Sequence, residues 1–324
     1  EAFVLDGKEF PTGTLIIKVA DGPRDLAQRV KEAAVTAGVQ VHGADTSWVD
    51  AGLNFGSNKV RPLKPVHIGL GWHSPASPND AGSTRFVLER QYGYPVTPVS
   101  FDRLGRADLT EFDVLILPDG WYGQDKSLNT RLEAYVKAGG TLVALGGAVA
   151  SLSEALLGTR REYSYRDPEN RPQLEKAEED DSRVPGTLIT DADGYDQMIQ
   201  ADKQPPDRVP GVILKAEVDQ EHWLTAGVPA SVYVLYSGQD IFRPLTLDEG
   251  RNLVRYSKAD ELLSSGYLWQ ENQAQLAFKP FMMHRPLGRG QVISFSSSPN
   301  VRGYLDGLNL LFLNAVFRGP AWVD

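Results

Sequence analysis

Between residues 65 and 145 the sequence repeats one pattern, a short apolar run followed by a stretch whose apolar residues recur at helical spacing. The runs predict strands over 66–71, 96–100, 113–118 and 141–145, and the periodic stretches predict helices over 81–92 and 127–138. Strands that are apolar throughout must be covered on both faces, and strands that alternate with helices are joined by crossovers rather than hairpins. A mostly parallel α/β sheet with helices on both faces meets both conditions.

Beyond residue 200 the punctuation changes. Strand signals at 212–218, 231–236, 253–256, 276–283 and 291–296, with a hairpin-like turn over 287–290, predict an antiparallel extension of the sheet, and 304–317 reads as a closing apolar helix. Ahead of the sheet, Leu15, Ile16, Ile17 and Val19 give 13–20 the look of a buried strand, with a helix over 21–37 and a second strand over 39–41. Residues 45–61, rich in Gly, Asn and Ser, read as extended loop. The expected division is a small N-terminal βα segment and linker over 1–62 and an α/β domain over 63–324. A charged insertion interrupts that domain at about 160–186: residues 160–183 hold eight acids, six bases, Pro168 and Pro172. Such a segment reads as a solvated insertion, or alternatively as a charged docking element.

Composition removes whole classes of function. With 33 Lys and Arg against 42 Asp and Glu, the net charge of -9 argues against nucleic acid as the partner. The chain has no cysteine, which excludes disulfides, thiolate metal sites and cysteine nucleophiles. No apolar run approaches the roughly 18–20 residues of a membrane span. The first residues lack the charged start and apolar core of a signal peptide, so upstream processing or truncation is expected. The sequence does not fix the compartment, and a secreted or periplasmic parent is compatible with it.

In an open α/β sheet ligands bind beyond the carboxyl ends of the strands. His73, Asp102, Asp119, Trp121 and Tyr122 stand there, with Gly146 and Gly147 after the 141–145 strand, and together they form the candidate ligand pocket. The alternative is that they cap helices and close loops. The segment TLVALGGAVAS, 141–151, has the strand, small residues and helix of a nucleophile elbow but no nucleophile: Gly147 stands where one is expected, and Ser151 and Ser153 lie inside the next helix. The five histidines form no HxxE or HExxH pair, and His42 with Asp45 has only an HxxD spacing, so neither a metal nor a cofactor is expected. The DADGYD run over 191–196 reads as an Asx-type turn, and His222 as a turn or capping residue. GLGWHS over 69–74 and WYGQDKS over 121–127 each lack a glycine that a phosphate-binding loop needs.

Five segments in order carry a resemblance: NDAGSTRFVLERQYGYPV (79–96), FDVLILPD (112–119), GGTLVAL (139–145), DQEHWLTAGVP (219–229) and the 286–317 stretch beginning PLGRGQVISFSSSPN. They resemble the region that follows the catalytic domain in large bacterial zinc carboxypeptidase-like proteins, a region similar to the class I glutamine amidotransferase fold, which is flavodoxin-like. Residues 13–61 are similar, more weakly, to the segment joining that region to the peptidase. Amidotransferases of this class use a cysteine with a downstream His and Glu, and zinc carboxypeptidases use an HxxE pair with a distant His. Neither set is found here. The resemblance therefore implies a non-catalytic accessory domain, structural or substrate-presenting, whose partner is an upstream peptidase domain of the same polypeptide. A small-molecule, peptide or glycan-binding domain using the strand-end pocket is the alternative, and a hydrolase of unrecognised arrangement a third.

Overall fold

The computed structural model describes residues 2–20, 22–104, 108–122, 126–162, 188–198 and 207–323. Its centre is a ten-stranded sheet of β1 (Ile68–Trp72), β2 (Thr97–Ser100), β3 (Val114–Leu117), β4 (Thr141–Leu145), β5 (Val209–Val218), β6 (Ser231–Gly238), β7 (Arg251–Tyr256), β8 (Leu263–Ser265), β9 (Pro280–Leu287) and β10 (Gly290–Phe295). The strand order is β8-β5-β7-β9-β10-β4-β3-β1-β2, and β6 also pairs with β5. Strands β10, β4, β3, β1 and β2 run parallel. The others are antiparallel, with Leu287 opposite Gly290 at the β9–β10 hairpin. This is the α/β architecture that the sequence predicts, with its antiparallel extension.

Helix α1 spans Leu26–Ala37, α2 Pro78–Arg85 with a π-helical continuation through Gln91, α3 Lys126–Lys137, α4 Gly147–Ser151, and α5 Asp306–Leu313 with a continuation through Arg318. Successive residues of β3 explain why both faces are covered. Val114 and Ile116 enter one core with Val87 and Leu88 of the α2 segment and Leu311 and Phe312 of α5. Leu115 and Leu117 enter the other with Leu132 and Val136 of α3 and Val149 of α4. All four β3 side chains are fully buried, each worth roughly 1.5–3 kcal/mol against exposure. β3 and β4, lying between other strands, fix the line of carboxyl ends at which the candidate site is assembled.

Several expectations need correction. Residues 13–20 and 39–41 form no strand. An apolar run becomes a strand only where another strand takes up its backbone hydrogen bonds, and among the described residues none does so here. The strand expected over 276–283 begins at Pro280, because Gln270–Leu276 is a helix and Phe278, at φ 63°, turns the chain between the two. The expected helix over 21–37 is shorter, beginning at Leu26. An unanticipated hairpin, Phe3–Leu5 with Lys8–Phe10, turns at Asp6 and Gly7, both at positive φ, and stacks Phe3 on Phe10 at 5.0 Å. Of the charged insertion, Arg161–Glu162 pairs with Ile241–Phe242, and residues from 163 on lie outside the described part. No helix among the described residues is long and apolar enough to cross a membrane.

Candidate functional site

Four loops meet at the carboxyl ends of the parallel strands, those after β1, β3, β4 and β10. Ser77 caps α2, its side chain accepting from the Asp80 N–H at 3.5 Å with Pro78 in the first helical position, and this sets Asp80 in the first turn facing the end of β3. The two segments then hold each other. The Ser77 N–H donates to the Asp119 carbonyl at 2.7 Å, and the Asp119 N–H donates to Asp80 Oδ2 at 2.6 Å. From the loop after β10, the Ser298 hydroxyl donates to Asp80 Oδ1. The neighbouring Asn300 donates its backbone N–H to Ser298 Oγ at 3.3 Å and its side-chain amide to Thr84 Oγ1 of α2 at 3.2 Å.

Asp80, 7% exposed, is thus a buried carboxyl with two donors. Burial pushes its pKa up to about 6, the donors from Ser298 and Asp119 pull against that, and the charge of Asp119 adds to the rise.

The turn from β4 into α4 is made at Gly146, with φ 54° and ψ -121°, one residue ahead of the Gly147 to which the sequence points. A Cβ on Gly146 would stand 2.7 Å from Asp119 Oδ1, and one on Gly147 would meet the Gly120 carbonyl at 2.6 Å. The Gly147 N–H donates to Asp119 Oδ1 at 2.5 Å. The space an elbow nucleophile would occupy is therefore filled by the Asp119 carboxylate, which also takes the backbone donor that an acyl-transfer site needs for its oxyanion.

The remaining candidates separate. Tyr122 turns into the core, 3% exposed, with its hydroxyl donating to the Pro118 carbonyl at 2.9 Å and its backbone N–H to Ser151 Oγ at 3.2 Å. Trp121 faces solvent, 55% exposed, with the Arg161 guanidinium 5.3 Å from its ring centre. His73 is exposed at φ 65° and touches Trp72 edge to face. Asp102 lies on the helical turn Phe101–Leu104, and its side chain is outside the described residues. Asp119, Gly146 and Gly147 are in contact, whereas His73 and Trp121 lie outside that hydrogen-bonded cluster. Asp80 and Ser298 do not stand out in the sequence, although Ser77-Pro78 is a helix-start signature that places Asp80 on the first turn.

A recess of about 470 Å³, lined by Asp108, Thr110, Arg131 and Tyr135 among others, lies elsewhere, at the amino ends of β3 and β4. Tyr135 marks the place by donating to the carbonyls of Phe112 and Thr141 at 3.1 and 3.3 Å.

A second titratable cluster joins the loop after β5 to β9. His222 Nδ1 accepts the Leu224 N–H at 3.2 Å, and its ring centre is 5.1 Å from that of His284. The Gln291 amide donates to the Gly319 carbonyl at 2.6 Å, so its Oε1 faces His284 Nε2 at 2.8 Å and makes that nitrogen the donor. Burial holds both imidazoles down to about 4. No group of three or more His, Cys, Asp or Glu among the described residues could hold a metal, and His42 contacts Lys8 instead. The run over 191–196 is not the plain Asx-type turn expected: Ala192–Met198 is a helix, and Asp191 stands at its start, its Oδ1 accepting the Gly194 N–H at 2.7 Å.

No protein-family model and no curated protein matches this sequence. Among solved structures, the chain is similar to a ThuA-like protein from Bacteroides uniformis, at 13% identity and TM-score 0.47 over 84% of this chain and 94% of that one. It is also similar to a ThuA-like protein from Parabacteroides merdae, at 14% identity and TM-score 0.49 over 79% and 90%. A third, a GMP synthase-type protein from Thermoplasma acidophilum, has 12% identity and TM-score 0.43 over 79% and 94%. These likenesses carry no functional residue to this chain.

Proposed function

We propose that this chain is a non-catalytic, amidotransferase-like module that packs beside a zinc carboxypeptidase-like catalytic domain, as a structural or substrate-presenting accessory. The observation that carries the non-catalytic part is the closed elbow: Gly146 at the turn, no side chain able to attack, and the Asp119 carboxylate on the Gly147 N–H. An oxyanion forming there would have to displace an existing anion from its donor, which opposes acyl transfer. The peptidase partner rests on the five ordered motifs and on the apolar residues that the N-terminal segment leaves exposed. The zinc of such a partner would be held by the partner, since the described residues here offer no ligand set.

Two assays test this reading. The purified chain is expected to release no ammonia from glutamine above a blank, and turnover would overturn the non-catalytic assignment. The longer polypeptide carrying the upstream domain is expected to remove C-terminal residues from peptides, and its failure with a fully zinc-loaded sample would overturn the partner. A second reading, ligand capture at the strand ends, draws on the exposed Trp121 ring beside Arg161. A saturable change in Trp121 fluorescence with a panel of oligosaccharides would favour it.

A further inference from the structure

Residues 13–42 have the order strand, helix, strand in their apolar pattern, yet neither run is paired. Among the described residues, the backbone N–H and C=O groups of residues 15–18 make no hydrogen bond, and those of 40–42 make none either. Leu15 is 65% exposed, Ile17 51% and Val19 68%, and Ile16 between them is 37% exposed. Helix α1 between the runs buries only Ala34 and leaves Val35 83% exposed, and Val39 and Val41 follow at 60% and 48%. Together these seven exposed apolar side chains present on the order of 700 Å², close to the ~800 Å² that each partner contributes to a standard protein interface.

We propose that residues 13–42 add by strand pairing to an open sheet edge of the peptidase-like domain, with 15–19 as the added strand and α1 as part of its cover. This deepens the proposed function and rests on it, because it names the contact by which the module docks. The type of partner follows from the chemistry. A segment whose backbone N–H and C=O groups are free, as they are over 15–18 up to the turn in which the Val19 carbonyl accepts the Gly22 N–H, is satisfied by another strand rather than by a helix or a flat apolar face. A run that is apolar on both faces requires a sheet already covered on its far side, as in an α/β domain. A second copy of this chain fits poorly. Two such segments paired together would leave one face and the outer edges open, and a two-stranded ribbon is marginal in water.

The experiment is hydrogen–deuterium exchange by mass spectrometry on this chain and on the longer polypeptide carrying the upstream domain. In the chain alone the amides of 15–19 are expected to exchange within seconds, and in the longer polypeptide at least 100-fold more slowly. Ile17→Pro, which removes one donor from the added strand, is expected to abolish that protection while the amides of β3 and β4 stay protected, which shows that the fold survives. Ile17→Val should retain it. Fast exchange of 15–19 in the longer polypeptide overturns the proposal, as does protection confined to α1. Protection that appears in the isolated chain with rising concentration, alongside a dimer in sedimentation, also overturns it. Protection of 15–19 beside an upstream domain without peptidase activity supports the strand addition and removes only the peptidase assignment.

Discussion

At the scale of single residues, two buried titrating groups pull stability in opposite directions with pH. Asp80 has its pKa raised from 3.8 to about 6 by burial. Below about pH 4 it is neutral in both folded and unfolded chains, so its contribution is fully favourable there. As pH rises towards 6 the unfolded chain ionises freely and the folded one does not, so stability falls by up to about 3 kcal/mol and is flat above. Asp80→Asn can still accept from the Asp119 N–H and, with the Ser298 hydroxyl reversed, donate to it. Its expected outcome is a chain more stable than wild type at pH 7.5 by about 1–3 kcal/mol in urea unfolding, with the difference gone near pH 3.5. A constant difference across that range would show that Asp80 does not titrate as argued. His284 runs the other way, since its pKa is lowered from 6.5 to about 4. Its contribution is complete above pH 6.5 and is lost as pH falls towards 4. His284→Gln keeps a neutral polar group near Gln291 and removes the titration. Between pH 7 and pH 4.5 the wild type is expected to lose about 2 kcal/mol more than this variant, and parallel pH profiles would refute the assignment.

At the scale of elements, the turn between β4 and α4 is where local conformation and site chemistry meet. Gly146 holds a backbone conformation that side chains rarely adopt, and the neighbouring carboxylate leaves no room for a Cβ. Gly146→Ala is expected to cost about 2–4 kcal/mol, and pairing it with Asp119→Ala should return part of that, a non-additivity that a double-mutant cycle measures. Strict additivity would mean that the cost is all backbone strain and that Asp119 does not close the elbow. The same elements show what a sequence can say. Strands such as β3 and β4 were legible because they are apolar throughout and bounded by turn residues, and a buried position in a parallel sheet selects for that directly. The run at 15–19 has the same local signature without the partner, and no local pattern reports whether a partner strand exists. The candidate site was legible in part: Asp119, Gly146 and Gly147 lie at strand ends that topology nominates. Asp80 and Ser298 reach the site from a helix start and a distant loop, and only the folded sheet brings positions 218 residues apart within a hydrogen bond. Tyr122 follows the end of β3, as the sequence predicts, but the direction of its side chain depends on packing that spacing does not encode.

For the whole molecule, the question is whether the N-terminal 62 residues belong to the same cooperative unit as the sheet. The two cores share the sheet between them, and one extends from β1 through β10 to β5 and β6, so the parallel and antiparallel halves should unfold together. The N-terminal segment touches this body lightly. The Arg318 guanidinium donates to the Gly13 carbonyl at 3.1 Å, and the Arg61 guanidinium stands 5.6 Å from the Trp322 ring centre. Each such contact is worth about 1 kcal/mol or less at a partly exposed site. The aromatic packing of this segment is largely internal, Phe3 with Phe10 and Phe55. A chain starting at residue 63 is therefore expected to unfold in one transition, with a melting temperature within about 5 °C of the full chain, since 1 kcal/mol moves a domain of this size by a few degrees. A fall of about 15 °C, or the loss of a single calorimetric transition, would show that residues 1–62 complete the core. A small fall would mean instead that their exposed apolar surface is reserved for a contact outside this sheet.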